Sequence, residues 1–121
     1  MSIGSRKREF IAAELIEQYT VVPYSVNVEI KSIAHKGLKI FVERNDPRGL
    51  PPDKVNRVRN IVAALITASD IKEVIGPPGW RIHQLRGDRA HEWSISVSGN
   101  WRITFKIVDD KIFDLNLEDY H

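Results

Sequence analysis

The sequence predicts an α+β fold in which an N-terminal strand and two helices pack on one face of an antiparallel sheet of four to five strands. Three observations carry this expectation. From Trp80 to Lys106, apolar and polar residues alternate through three short runs separated by turn residues, the pattern of antiparallel strands. Upstream, Val55, Val58, Ile61, Val62, Leu65 and Ile66 recur at helical spacing, which gives a helix one apolar stripe. The chain of 121 residues has no cysteine, and at that length a core can be buried without disulfides or metals.

Taken from the start, residues 1–27 differ from the rest and are expected to form a helical extension to a domain spanning 28–121. Ile11, Leu15 and Tyr19, with Phe10 and Ile16 beside them, predict a short amphipathic helix from Lys7 to Gln18 that Pro23 ends. Residues 28–33 alternate and predict a strand. Lys36 to Arg44 follows as a helix with Leu38, Phe41 and Val42 inward. Pro51 and Pro52 open the second helix, because a first-turn proline lacks only an amide hydrogen that has no partner there, and Asp53 suits the positive helix end. Ser69 to Lys72 reads as one more short turn, and Gly76, Pro77, Pro78 and Gly79 break the chain before the sheet.

In the sheet, alternation places Trp80, Ile82, Trp93, Ile95, Val97, Trp101, Ile103, Phe105 and Ile107 on one buried surface. The other face carries Arg81, His83, Ser94, Ser96, Arg102, Thr104 and Lys106, with Arg86 and Arg89 in the first connection. Such a face suits an anion, above all a nucleic-acid backbone. Asp109 and Asp110 make a tight turn into a last strand with Phe113, Leu115 and Leu117 inward and Asp114, Asn116 and Glu118 outward.

The net charge of +2 is unevenly spread. Lys31 to Arg59 holds eight Lys or Arg against three acids, while Asp109 to the end holds five acids and one lysine. That polarity points to an anionic partner on one surface and a basic one on another. No apolar run reaches the ~20 residues that cross a bilayer, and no signal peptide is recognisable. The expected location is therefore the cytoplasm, which the lack of cysteine suits. The histidines and acids show no metal-ligand spacing, and phosphate loops, nucleophile elbows and dinucleotide fingerprints are absent. No cofactor is expected. RNA suits metal-free chemistry, since its 2′-hydroxyl is an internal nucleophile that a protein need only position and deprotonate.

His83 on the polar face is a proton-transfer candidate beside an anion site. Arg102 shares that face and suits bidentate contact with phosphate, or else pairs across strands with Asp114 or Glu92. The tail Asp119-Tyr120-His121 gathers three titratable groups, with Tyr120 at the parity of Asn116. His35 and His91 read as a helix start and a turn.

Four separated motifs then carry a family likeness: HKGLKIF at His35 to Phe41, RIHQLRGD at Arg81 to Asp88, WSISVSGNWRITF at Trp93 to Phe105, and EDYH at Glu118 to His121. In this order they resemble the HigB branch of the RelE-like toxins of bacterial toxin–antitoxin systems. The resemblance implies a ribosome-dependent endoribonuclease that cuts messenger RNA and stops translation. It also implies a helix-turn-helix antitoxin of the HigA type, bound in a hetero-oligomer. By motif, His83, Arg102, Asp119, Tyr120 and His121 are the expected catalytic residues and Arg86 and Asn100 expected RNA contacts, to which the polar sheet face adds Arg81 and Lys106. The resemblance assigns proton transfers to His83 and the Asp119/His121 pair without dividing acid from base. Two departures matter: Gln84 replaces a common proline, and Arg86 stands where lysine is usual, so Arg86 can only stabilise charge. Relatives of this kind begin near Val28, so the preceding helix is extra, or Val28 is the native start. The competing reading is a non-catalytic module on the same scaffold that binds RNA or a protein.

Overall fold

The structure is a computed structural model that describes residues 29–68, 70, 74 and 76–119. The expected helix at Lys7 to Gln18, the turn at Ser69 to Lys72, Tyr120 and His121 lie wholly or mainly outside these residues. The order of elements is β1 (Glu29–Ile30), α1 (Lys36–Arg44), α2 (Val55–Thr67), β2 (His83–Gln84), β3 (Glu92–Ser98), β4 (Trp101–Val108) and β5 (Lys111–Asp119). The five strands form one sheet in the order β1-β5-β4-β3-β2. Pairings from β2 to β5 are antiparallel, but β1 runs parallel to β5. The sheet is thus mixed where an antiparallel one was expected, because the helices carry the chain to β2 at the opposite edge and the meander from β2 to β5 brings it back beside β1 in the same direction.

Each helix end has a local cause. His35 caps α1, its Nδ1 accepting the Leu38 amide hydrogen at 3.0 Å. At the other end Asn45 takes a left-handed conformation, φ 54°, and donates to Phe41 O at 2.8 Å. Gly37 in the first turn lies so close to the Pro47–Gly49 turn that a Cβ on it would fall 2.1 Å from the Gly49 carbonyl oxygen. Only glycine permits that backbone contact. The Pro51-Pro52 pair makes a 3₁₀ turn over Pro52–Lys54, and the α-helix proper starts at Val55.

The core is the expected stripe of each helix against the apolar sheet face. Leu38, Phe41, Val42, Val58, Ile61, Val62 and Leu65 are fully buried with Ile95, Ile103, Phe105, Ile112 and Leu115. Trp80, Ile82, Trp93, Trp101 and Ile107 pack around its margin. Arg57 Nη1 donates to Val97 O at 2.7 Å and ties α2 to β3. Arg59 lies 4.8 Å over the Phe41 ring and donates to Asn45 Oδ1, holding α2 to the end of α1.

Two strand readings are corrected. The run from Trp80 is strand only at His83–Gln84, since Pro78–Trp80 forms a 3₁₀ turn and Arg81 is left-handed at φ 48°. Arg81 therefore leaves the alternation that was expected to place it beside His83 on a strand. In β5, Asp114 at φ 53° marks a bulge at which the pairing steps from Thr104↔Asn116 to Lys106↔Phe113. The extra residue reverses parity upstream. Ile112 is the buried residue there, and Phe113 is half-buried on the opposite face.

The His35 cap makes one prediction about stability. Replacing His35 by alanine is expected to cost about 1 kcal/mol, read as a lower urea midpoint. Burial pulls the imidazole below its usual value of 6.5, so the unfolded chain takes up this proton first. The contribution is full above 6.5 and is lost as pH falls through the lower folded value. His35→Ser should keep the cap and remove this pH dependence.

Candidate nucleic-acid interface

Strand register fixes which side chains meet on the face away from the helices, because directly paired residues project to the same side. His83 pairs with Ser94, Ser94 with Thr104 and Thr104 with Asn116, so these four form one rung across the sheet. The next rung is Ser96, Arg102 and Glu118. A third, on the other side of the His83 rung, holds Glu92, Lys106 and Phe113. His83 and Arg102 are thus two strands and one two-residue step apart, roughly 12 Å between Cα atoms from standard strand spacings. An arginine side chain covers much of that span.

The middle of this face is not the open row of hydroxyls and cations that alternation suggests. Ser94 and Thr104 are buried, and Ser94 Oγ finds no hydrogen-bond partner among the described residues. Above them Arg89 reaches back from the Gly87–Arg89 3₁₀ turn to two carboxylates. Its Nε and Nη2 donate to Glu92 at 2.8 Å each, and its Nη1 and Nη2 donate to Glu118 at 3.1 and 2.5 Å. Thr104 Oγ1 also donates to Glu118. These bonds hold the Arg89 guanidinium firmly in its charged form. Hydrogen bonds from Arg89 hold the Glu92 carboxyl below the ordinary range. For Glu118, burial pushes upward, and the bonds from Arg89 and Thr104 more than reverse it.

The Arg89 clamp joins the turn that carries Arg86 to β5 on the far side of β3 and β4. Sequence reading placed Arg89 in a connection and left its role open. The signal was the i,i+3 spacing of Arg89 and Glu92, but the Glu118 half needed a loop folded over the sheet. Glu118, rather than Asp114 or Glu92, is also the residue cross-strand from Arg102.

His83 is exposed at the β2 edge, and its Nδ1 lies 2.6 Å from the Arg81 carbonyl oxygen. Arg81 and Arg86 are exposed in the turns on either side of β2. Asn100 is exposed in the β3–β4 turn, two residues before Arg102. Lys106 is on the same face, one two-residue step from the His83 rung on the side opposite Arg102, and its Nζ lies 3.3 Å from Asp114 Oδ2. Asp119 pairs with Trp101, on the Ile103–Leu117 side of the strands, so register does not bring it to His83. The exposed cations beside His83 in the chain are Arg81 and Arg86, while Arg102 and Lys106 each lie two strands and one two-residue step away on its face.

A separate cleft of ≈ 390 Å³ lies between α2 and the Gly76–Trp80 turn, lined by Asn60, Ala63, Ala64, Thr67, Pro77 and Trp80 among others. None of the predicted site residues lines it. Among the described residues no helix is long and apolar enough to cross a membrane.

The chain is similar in sequence and fold to known proteins. A protein 42% identical over 92 residues, covering 76% of this chain and 99% of its own, is the endoribonuclease HigB of Proteus vulgaris. A crystal structure of a YafQ mutant from E. coli superposes with a TM-score of 0.51 at 16% identity, over 75% of this chain and 91% of that one. That match shows a shared fold. The family model described as the RelE-like toxin of type II toxin-antitoxin system HigB matches residues 31–121. With most of its length matched in this way, the chain belongs to the HigB-like family of RelE-like toxins.

Proposed function

We propose that the protein is the toxin of a type II toxin–antitoxin system and an endoribonuclease that cuts messenger RNA on the ribosome, in the cytoplasm. The observation that carries the reading is the placement of His83 and Arg102 on one side of the sheet, flanked by exposed Arg81 and Arg86. Family membership adds weight, since the P. vulgaris relative is named an endoribonuclease.

In the proposed reaction, His83 removes the proton from a ribose 2′-hydroxyl and O2′ attacks the adjacent phosphorus in line. The P–O5′ bond breaks, the leaving oxygen takes a proton, and the products carry a 2′,3′-cyclic phosphate and a 5′-hydroxyl. Arg102 and Arg86 counter charge on the phosphate, while Arg81 and Asn100 hold the strand. Lys106, tied to Asp114, has the least to contribute. The terminal Tyr120 and His121 are assigned delivery of the proton to O5′. Asp119, on the Trp101 side of its strand, is assigned no proton transfer.

The partner is a helix-turn-helix antitoxin of the HigA type, co-expressed with the toxin and holding it in a hetero-oligomer. The test is expression without antitoxin. Growth and translation should stop, and removal of Tyr120 and His121 should relieve the arrest, whereas Asp119→Asn should relieve it less. Full toxicity of the truncated chain would remove the tail from the mechanism. Ribosome association that weakens with salt but brings no cleavage would instead support a binding module.

A further inference from the structure

We propose that the backbone of Arg81 is a positioning element: its left-handed turn aims its carbonyl oxygen at His83 Nδ1 and fixes the imidazole as the tautomer whose Nε2 accepts the substrate proton. The inference deepens the reading of His83 as a proton-transfer group and rests on it. A carbonyl oxygen has no proton to give, so at 2.6 Å the hydrogen of this bond must be on Nδ1. In the neutral ring the lone pair is then on Nε2, which makes no hydrogen bond among the described residues. When the ring is neutral, Nε2 is thus the nitrogen that can take the first proton, which suits the base role assigned to His83 above.

Arg81 takes an unfavourable conformation to make this bond. At φ 48° and ψ 55° it is one of the few non-glycine residues in the left-handed region, where a residue with a Cβ is strained. Its surroundings impose that conformation. Trp80 packs against the core and so tightly on Gly76 that a Cβ there would lie 1.9 Å from the indole. Pro77 and Pro78 lead into the 3₁₀ turn, and the Trp80 and Arg81 amides donate back to Pro77 O and Pro78 O. Trp80 is anchored on one side and His83 is held in the ladder with Ser94 on the other, so the intervening residues are fixed from both ends. Strain held by its neighbours beside a reactive group is a mark of pre-organisation.

Two variants separate the carbonyl from the guanidinium. Arg81→Asn and Arg81→Val both remove the positive charge, but asparagine tolerates the left-handed region and a β-branched residue resists it. Nitrogen-15 spectra of the imidazole, taken at about pH 8 where an ordinary histidine is neutral, read the tautomer directly. The full chain and Arg81→Asn are expected to show protonated Nδ1 and bare Nε2 at His83, and Arg81→Val a mixture of tautomers. On translating ribosomes kcat of the valine variant should fall about tenfold below that of the asparagine variant, a part of the roughly hundredfold or more that a general base contributes. KM should rise similarly in both. A proton on Nε2 in the unaltered protein, or one tautomer kept in Arg81→Val, would overturn the proposal. If the tautomer is as stated yet His83→Ala still cleaves, the nuclease role of His83 fails while the carbonyl contact stands.

Discussion

Replacing His83 by alanine is expected to lower messenger cleavage on the ribosome by at least about a hundredfold, the usual contribution of a general base. The fold should be unaffected. His83 is exposed at an edge strand of two residues, and its side chain buries nothing in the core. The unfolding free energy read from urea denaturation should therefore stay within about 0.5 kcal/mol of the parent, as for surface substitutions. His83→Gln, which keeps a donor near the Arg81 carbonyl but has no titratable nitrogen, should be as inactive as the alanine variant. Equal toxicity of parent and both variants would remove His83 from the reaction.

The second large effect is expected at Arg89, which touches no part of the proposed reaction. Arg89→Ala leaves Glu92 and Glu118 without their shared cation and frees the turn that carries Arg86 from β5. The Arg89 side chain is 34% exposed, so solvent screens part of the interaction. The loss should be about 1–2 kcal/mol, toward the lower end for charged hydrogen bonds. Cleavage should fall about tenfold or more, because small displacements of positioning groups carry large costs. Arg89→Ala combined with Glu118→Gln should recover part of the stability, since it removes the stranded carboxylate. The pair also sets a pH dependence. Both carboxyls are depressed in the folded state, so their contribution is full above the ordinary glutamate value of 4.5. It is lost as pH falls through the folded values. Arg89→Ala should flatten the acid limb of a stability profile, and an unchanged limb would show that the clamp does not carry it.

The helices and the β3–β4 hairpin were legible because each is encoded locally. α1 runs from Lys36 to Arg44 as the spacing of Leu38, Phe41 and Val42 requires, and the rungs through Ser94 and Thr104 follow from alternation. What alternation could not reveal is where it stops. Arg81 and Asp114 both take positive φ without being glycine, and each breaks the period of two at a point that only tertiary packing decides. One removes Arg81 from the strand, and the other exchanges the faces of Ile112 and Phe113. The parallel pairing of β1 with β5 was hidden for a similar reason, since it joins Ile30 to Ile112 across nearly the whole domain. At the site, the chemistry-bearing residue types could be picked out, but their neutralisation could not. A face that reads as basic in sequence contains Glu92 and Glu118 under Arg89, and the exposed arginines, Arg81 and Arg86, lie beside it in the turns on either side of β2.

The measurement closest to the centre of this account uses a short messenger with a single 2′-deoxynucleotide on the 5′ side of the cut position, presented on the ribosome with purified toxin. The mechanism built on His83 needs that hydroxyl as nucleophile, so the substituted messenger should stay intact at the cut position while an all-ribose control yields fragments ending in a 2′,3′-cyclic phosphate. Cutting of both messengers at the same place and rate would contradict it.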